Sequence, residues 1–422
     1  MKVCRSYIYM VSIILLAYLP VKAQNSVVTI NDCQEWAVAQ SSANTQKELN
    51  AQLLKVKLND ASSHLYPTLE INGLATYQSQ VPQLPLELGV DRLSKDQYSI
   101  SIDFSQSIFD GAKSFFRKKY ERLLNESEIQ KVNISINTLK EQVISLYLGL
   151  LIIEKQNNIL TNAETALQEQ INRLKILLEN GVVYSNSIDQ LELEALKIAQ
   201  QKSELSSTKE SLIASLSILT GKNLTDATFI VPELPEIEEN TNSVRSEYAI
   251  FQNQQDALDY QRKLHFSNSL PSAQLFASAG YGRPTYNIFS NKFDWFYIVG
   301  VRLNVPIIAW AKTTGVGNII NLQKSIVVSQ QSDFEKSNKI AIQEKLNEIK
   351  KIKKLIALDE QITNKYKSIT NTFSKQLLNG TITAYDFIKH QNDELQSLLA
   401  QEVHSFQLLK AQYELLALKG LL

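Results

Sequence analysis

The 422-residue chain carries one long unit twice, and a duplication of that size restricts its architecture more than any single motif. Leu177-Leu178-Glu179-Asn180-Gly181 returns as Gln376-Leu377-Leu378-Asn379-Gly380 at an offset of 199 residues. The same offset relates Ala112-Lys113 to Ala311-Lys312 and Gly221 to Gly420, so no net insertion separates these markers. Upstream the offset is 204, pairing Leu65-Tyr66-Pro67 through Tyr77 with Ser269-Leu270-Pro271 through Tyr281. The two repeats divide the chain at 24–222 and 223–422, and the five-residue difference falls in a loop, where length varies most easily.

Each repeat contains, after an opening helix, two stretches of period-two alternation, the signature of strands. In the first, Tyr98, Ile100, Ile102 and Phe104 alternate with Ser99, Ser101 and Asp103. In the second, Phe293, Trp295, Tyr297, Val299, Val301, Leu303 and Val305 share one face, opposite Asp294, Arg302, Asn304 and the apolar Phe296 and Ile298. The pattern predicts strands at about 67–79 and 97–109, and again at about 271–282 and 293–308, joined by turn-rich loops at 81–95 and 282–291. Tyr281, Tyr286, Phe289, Phe293 and Trp295 crowd around the second loop, as an aromatic girdle at a membrane interface requires. Trp295, Tyr297, Val299 and Val301 are therefore the candidate lipid-facing residues. Four strands cannot close a barrel, since single-chain barrels need about eight or more, but three chains would supply twelve.

Helical hairpins follow at 111–220 and 311–420. Ile129, Val132, Ile136, Leu139, Val143, Leu146, Leu150 and Ile153 are spaced alternately three and four, a coiled-coil seam. The second repeat continues the design from Ile342 through Ile362 to Leu377, and neither run contains proline. Gly111 to Glu179 would span about 100 Å as one helix. Asn-Gly pairs then supply the left-handed residues that reverse the chain. The tips are expected at 180–183 (Asn180, Gly181, Val182, Val183) and 379–382 (Asn379, Gly380, Thr381, Ile382).

The N-terminus reads as a secretory signal peptide over 1–23. Lys2 and Arg5 precede an apolar run from Tyr7 to Leu19, and Val21-Lys22-Ala23 supplies the small-residue cleavage site. Losing Lys2, Arg5 and Lys22 from 43 basic residues, against 43 acidic ones, leaves a mature charge of about −3. No basic footprint for nucleic acid exists in that balance. After the signal, no run reaches the roughly 18 apolar residues of a membrane helix; Leu146 to Ile153 is the nearest, bracketed by Glu141 and Glu154. Any membrane crossing thus falls to strands. Cys33 is the one mature cysteine, which rules out an intramolecular disulfide.

In their order, these features resemble the TolC family of outer-membrane efflux channels over nearly the whole mature chain. The matching phrases are Leu65-Tyr66-Pro67-Thr68 and Leu270-Pro271-Ser272 at the strand starts, Ser107-Ile108-Phe109-Asp110-Gly111 and Val305-Pro306-Ile307-Ile308 at the switch into helix, and the two Asn-Gly tips. The resemblance implies a mainly α fold with a β-barrel portion: a homotrimeric twelve-strand outer-membrane barrel continuous with a periplasmic α-helical coiled-coil tunnel in a Gram-negative cell. It implies a channel subunit of a tripartite efflux or type I secretion system, without catalysis, that works with a periplasmic adaptor (membrane fusion) protein and an inner-membrane pump or ABC transporter. The tips would dock the adaptor. Asp386, six residues beyond Gly380, holds the spacing of an acid in the family's periplasmic gate. Lys389 replaces a second acid found in some members, and Ser187 replaces one after the first tip.

No cofactor or metal site is expected. His390 and His404, fourteen residues apart on a helical pattern, are separated by about 21 Å of rise, and His64 and His265 have no ligand-spaced partner. Gly315-Val316-Gly317 lacks the third glycine of a dinucleotide loop. A soluble periplasmic coiled-coil adaptor or scaffold is the alternative reading. It would share the helical hairpins, but has no reason to present seven apolar residues on one strand face.

Overall fold

The computed structural model describes residues 27–82, 93–181, 183–233, 243–287 and 289–422. The signal segment expected over 1–23 and Val182 of the first tip lie outside them, as do 83–92 and 288 of the hairpin loops. In chain order the elements are β1 (Val27–Val28), α1 (Ile30–Gln40), α2 (Ala43–Asp60), a 3-10 turn (Ser63–Leu65), β2 (Thr68–Tyr77), β3 (Asp96–Phe109), α3 (Lys113–Glu179), α4 (Ser185–Thr220), β4 (Thr228–Phe229), α5 (Ser246–Ser267), β5 (Ser272–Arg283), β6 (Asp294–Asn304), α6 (Ala309–Leu378) and α7 (Ala384–Lys419). β6 stops short of the 308 expected from sequence. Pro306 has no N–H to offer a ladder, and the chain turns into α6.

Two compact units result, and each draws on both sequence repeats. The first comprises residues up to Ser41 with Ile136–Ser243 and Ile340–Leu422; the second comprises Ser42–Ser135 and Val244–Lys339. Each repeat contributes a strand pair and helix starts to one unit and a helical hairpin to the other, so the units cut across the boundary at 222/223.

The second unit holds one antiparallel sheet of order β2-β3-β5-β6. β3 meets β5 across the repeat boundary in continuous register, Ile100 opposite Tyr281 and Phe104 opposite Ala277, with an irregularity between Ser107 and Phe109 where β3 ends. Helices of the same unit are tied by the ion pairs Lys57 to Glu121 at 3.1 Å and Lys324 to Asp259 at 2.7 Å, and by the Tyr248 ring edge-on to Phe334.

In the first unit, α1, α3, α4 and α7 enclose a core that includes Cys33, Val143, Tyr147, Leu150, Leu216 and Phe406. Among the described residues, α3 is the one helix long and apolar enough to cross a membrane by composition, beyond what the short run Leu146–Ile153 had implied. Its apolar positions Val143, Ile144, Tyr147, Leu150 and Leu151 are buried in this core, which accounts for them without lipid. The Tyr147 hydroxyl lies 2.8 Å from the carbonyl oxygens of Val28 and Ile230 and accepts the Ile230 N–H at 3.0 Å. It thereby pins the parallel pair β1–β4, which joins the start of the first repeat to the start of the second. A second core near the tips gathers Leu167, Ile171, Leu174, Leu191, Leu377 and Phe387.

Candidate functional site

Two features present themselves: the faces of the sheet and the ends of the helical hairpins. Register settles the first. Leu69 faces Phe104 and Ile71 faces Ile102; on the far side Ala277 faces Val299, Ala279 faces Tyr297 and Tyr281 faces Trp295. Because β3 pairs with β5 in the same phase, one apolar face runs without interruption across all four strands. Its side chains are bare: Trp295 is 77%, Tyr297 80% and Val299 67% exposed, and Val301 is also exposed. So large a bare apolar surface marks an interaction or membrane face. Toward the loop end, Tyr281 stacks on Phe293 with ring centroids 5.8 Å apart and tilts against Trp295 at 5.3 Å, while the Arg283 guanidinium lies over Phe293.

The opposite face is polar. Asn72 Nδ2 donates to Asp103 Oδ2 at 2.6 Å, Glu70 lies across from Asp103, and Arg302 is held 5.0 Å above the Phe276 ring. In the sheet order β2 and β6 each have one neighbour, so among the described residues both outer edges are unpaired.

Where β3 gives way to α3, Gly111 and Ala112 both adopt left-handed backbone angles, φ 68° and 63°. A Cβ on Gly111 would meet Ser267 O at 2.9 Å, so the position requires glycine for space as well as for conformation. Asp110 then caps α3: Oδ2 accepts the Ser114 N–H at 2.8 Å and the Ser114 hydroxyl, and lies 3.0 Å from His64 Nε2. Burial opposes its ionisation, but the bonds from Ser114 and His64 outweigh that and hold the carboxyl below the usual carboxylate range. The Ser114 hydroxyl also lies 3.2 Å from His64 Nε2, so Ser114, His64 and Asp110 form one hydrogen-bonded latch at the junction. Sequence reading gave His64 only a surface or packing role, because 46 residues separate it from Asp110.

At the tips, Gly181 (φ 72°) and Gly380 (φ 68°) reverse the chain. The second is a full Schellman cap, Thr381 N–H to Gln376 O at 3.0 Å and Gly380 N–H to Leu377 O at 3.0 Å, reinforced by the Thr381 hydroxyl on Gln376 O. At the first, Gly181 N–H donates to Leu178 O and Asn180 Nδ2 to Ile176 O. Val183 and Ile382 pack onto the adjoining core, whereas Asn180, Gly181, Asn379, Gly380 and Thr381 are exposed.

Asp386 has a local job that its spacing from Gly380 had not disclosed. Its Oδ2 accepts the Thr383 N–H at 3.1 Å and the Thr383 hydroxyl at 2.6 Å, while Thr383 Oγ1 accepts the Asp386 N–H: a capping box that starts α7. The Thr383-Ala384-Tyr385-Asp386 pattern carries that signal in the sequence. These bonds, side chain first, hold the Asp386 carboxyl below its ordinary range. Lys389 is exposed one turn further along.

The fold so defined, a duplicated strand pair and long helical hairpin, is that of outer-membrane channels. The structure resembles the CmeC outer-membrane channel of Campylobacter jejuni (16% identity over 93% of this chain and 85% of that one, TM-score 0.67). It resembles equally the outer-membrane protein VceC of Vibrio cholerae (13%, 93% and 96%, TM-score 0.70) and the open state of the MtrE outer-membrane channel of Neisseria gonorrhoeae (13%, 93% and 88%, TM-score 0.63). By sequence, neither a family model nor a curated protein matches the chain.

Proposed function

We propose that this protein belongs to the TolC-like channels of the outer membrane and serves as the passive conduit of a tripartite efflux or type I secretion system. The observation that carries the reading is the bare apolar face shared by β2, β3, β5 and β6, backed by a polar face on the same strands. Lipid satisfies the first face and a water-filled lumen the second. Two unpaired edges are incompatible with an isolated four-stranded sheet in hydrocarbon, so β6 of one copy pairs with β2 of the next and three copies close a twelve-strand barrel. The helical hairpins extend into the periplasm. Their exposed Asn-Gly tips meet a periplasmic adaptor, through which an inner-membrane pump or ABC transporter supplies the energy. Asp386 contributes a ring of three carboxylates near the tunnel's end, where Lys389 moderates the field. No catalytic step is assigned to the chain.

Membrane fractionation with an oligomer assay tests the reading. A detergent-stable trimer in the outer membrane is expected; a soluble periplasmic monomer or dimer would overturn it.

A further inference from the structure

The first unit contains a half-open cavity of about 390 Å³ walled by α3, α6 and α7. Its apolar wall includes Ile159, Ala163 and Leu395. Beside Asn162, Thr370 and Asn371, two glutamines line it, Gln170 on α3 and Gln391 on α7, each about nine-tenths buried. Gln170 donates through Nε2 to Ser374 Oγ on α6, which fixes its amide and leaves Oε1 without a partner; Gln391 Oε1 is likewise unpartnered. A buried carbonyl with no donor is costly, and two on one cavity are a specific demand for hydrogen-bond donors. One water needs roughly 30 Å³, so this space exceeds a single bridging water many times over. Lys367 and Glu394 put one charge of each sign on the wall, so net charge does not select the occupant. Donor capacity and an apolar body do.

We infer that this cavity is a binding site for a small amphipathic primary amine, whose ammonium donates to Gln170 Oε1 and Gln391 Oε1 while its apolar body lies against Ile159, Ala163 and Leu395. The volume falls in the range of small-molecule sites, about 300–1,000 Å³. An occupant there touches α3, α6 and α7 at once, and so links the helical hairpins of the two repeats.

The test titrates 2-phenylethylamine into the detergent-solubilised full chain, read by calorimetry and by saturation-transfer NMR. Its N,N,N-trimethyl analogue, which keeps the charge and loses the donors, is the control. Saturable binding of the amine is expected, weakened about tenfold or more in the trimethyl analogue and in Gln391→Leu. Ala163→Leu, which leaves both glutamines intact and fills the apolar end, should abolish binding and carries the test if Gln391→Leu does not fold. No saturable binding by wild type, equal binding of the two probes, or wild-type binding by Ala163→Leu would each overturn the assignment.

Discussion

Gly280 of β5 lies beneath the ring of Phe296 of β6, its partner across the strand pair: an added Cβ would stand 2.6 Å from Phe296 Cζ and 2.4 Å from the carbonyl oxygen of Ile100. The arrangement is reciprocated four cross-strand pairs along, where the Phe276 ring of β5 covers Gly300 of β6 and an added Cβ would stand 2.9 Å from Phe276 Cζ. Rings laid over cross-strand glycines restore the packing that glycine gives up and keep two large apolar side chains flat against the polar face.

The two glycines should therefore respond differently to substitution. Gly300→Ala meets only the ring of Phe276, so Phe276→Ala should recover much of its cost. Gly280→Ala also meets the Ile100 backbone, and Phe296→Ala should not rescue it. Each single change is expected to cost about 1–3 kcal/mol by overpacking. Denaturation of the four single and two double variants checks this, and equal rescue at both sites would contradict the geometry.

The lipid exposure proposed for the apolar face predicts a second asymmetry. Val299 shares that face with Tyr297 and Val301, whereas Asn304 is on the polar side beside Arg302 and across from Ser272. An Arg at mid-bilayer costs about 2–4 kcal/mol, and a trimer carries it three times. Val299→Arg should deplete assembled protein from the outer membrane and Asn304→Arg should not, as immunoblots of membrane fractions will record; equal yields would remove the barrel assignment.

The junction of β3 and α3 stores strain in one residue. Ala112 holds φ 63° with a Cβ, at a cost of about 1 kcal/mol, so Ala112→Gly should stabilise by up to that amount. Gly111→Ala combines the same penalty with a clash against Ser267 O and should destabilise by more. Thermal midpoints of the two variants should move in opposite directions.

Much of this was legible beforehand because it is periodic or punctuated. Alternation from Tyr98 to Phe104 fixed which side chains share a face, and Asn-Gly pairs fixed where helices turn. What escaped depends on contacts between distant residues. Nothing near Tyr147 announces that its hydroxyl serves Val28 and Ile230, 119 and 83 residues away. Two-residue strands such as β1 and β4 have no period to detect. Thr383 and Asp386 are a different case: their capping pattern is local, and a reading of Asp386 by its spacing from Gly380 passed over it.

Tyr147 gives a prediction in alkali. Burial pushes its phenol up to about 12, from about 10, as the unfolded chain would titrate. A raised value means that the unfolded state sheds its proton first, so stability present below about pH 10 is lost as pH rises toward 12. Cys33 in the same core is also pushed up to about 12 by burial, then by Asp32, and adds a decline that begins lower. Tyr147→Phe should cost about 1–3 kcal/mol at neutral pH by leaving backbone groups unpartnered, yet should flatten the alkaline decline. Chemical denaturation at a series of pH values measures both, and an unchanged alkaline slope would remove Tyr147 as its source.

The last prediction separates the helix cap that Asp386 provides from the pore charge proposed for it. Its carboxyl is held low in the folded state by Thr383, side chain first and backbone second. A depressed group stabilises above its unfolded value and loses that contribution as pH falls through the folded one, so the cap weakens only below about pH 4 and is intact at neutrality. Thr383→Ala removes the capping hydroxyl but keeps the charge; a lost N-cap typically costs about 1 kcal/mol of helix stability. Asp386→Asn keeps an acceptor at the cap and removes the charge. In planar bilayers, trimer bearing Asp386→Asn should become less cation-selective and less sensitive to divalent block, because the proposed ring of three carboxylates would be neutralised. Thr383→Ala should retain selectivity while its α7 N-terminus exchanges amide protons faster. Equal losses of selectivity in both variants would assign the effect to the cap and leave the pore charge without support.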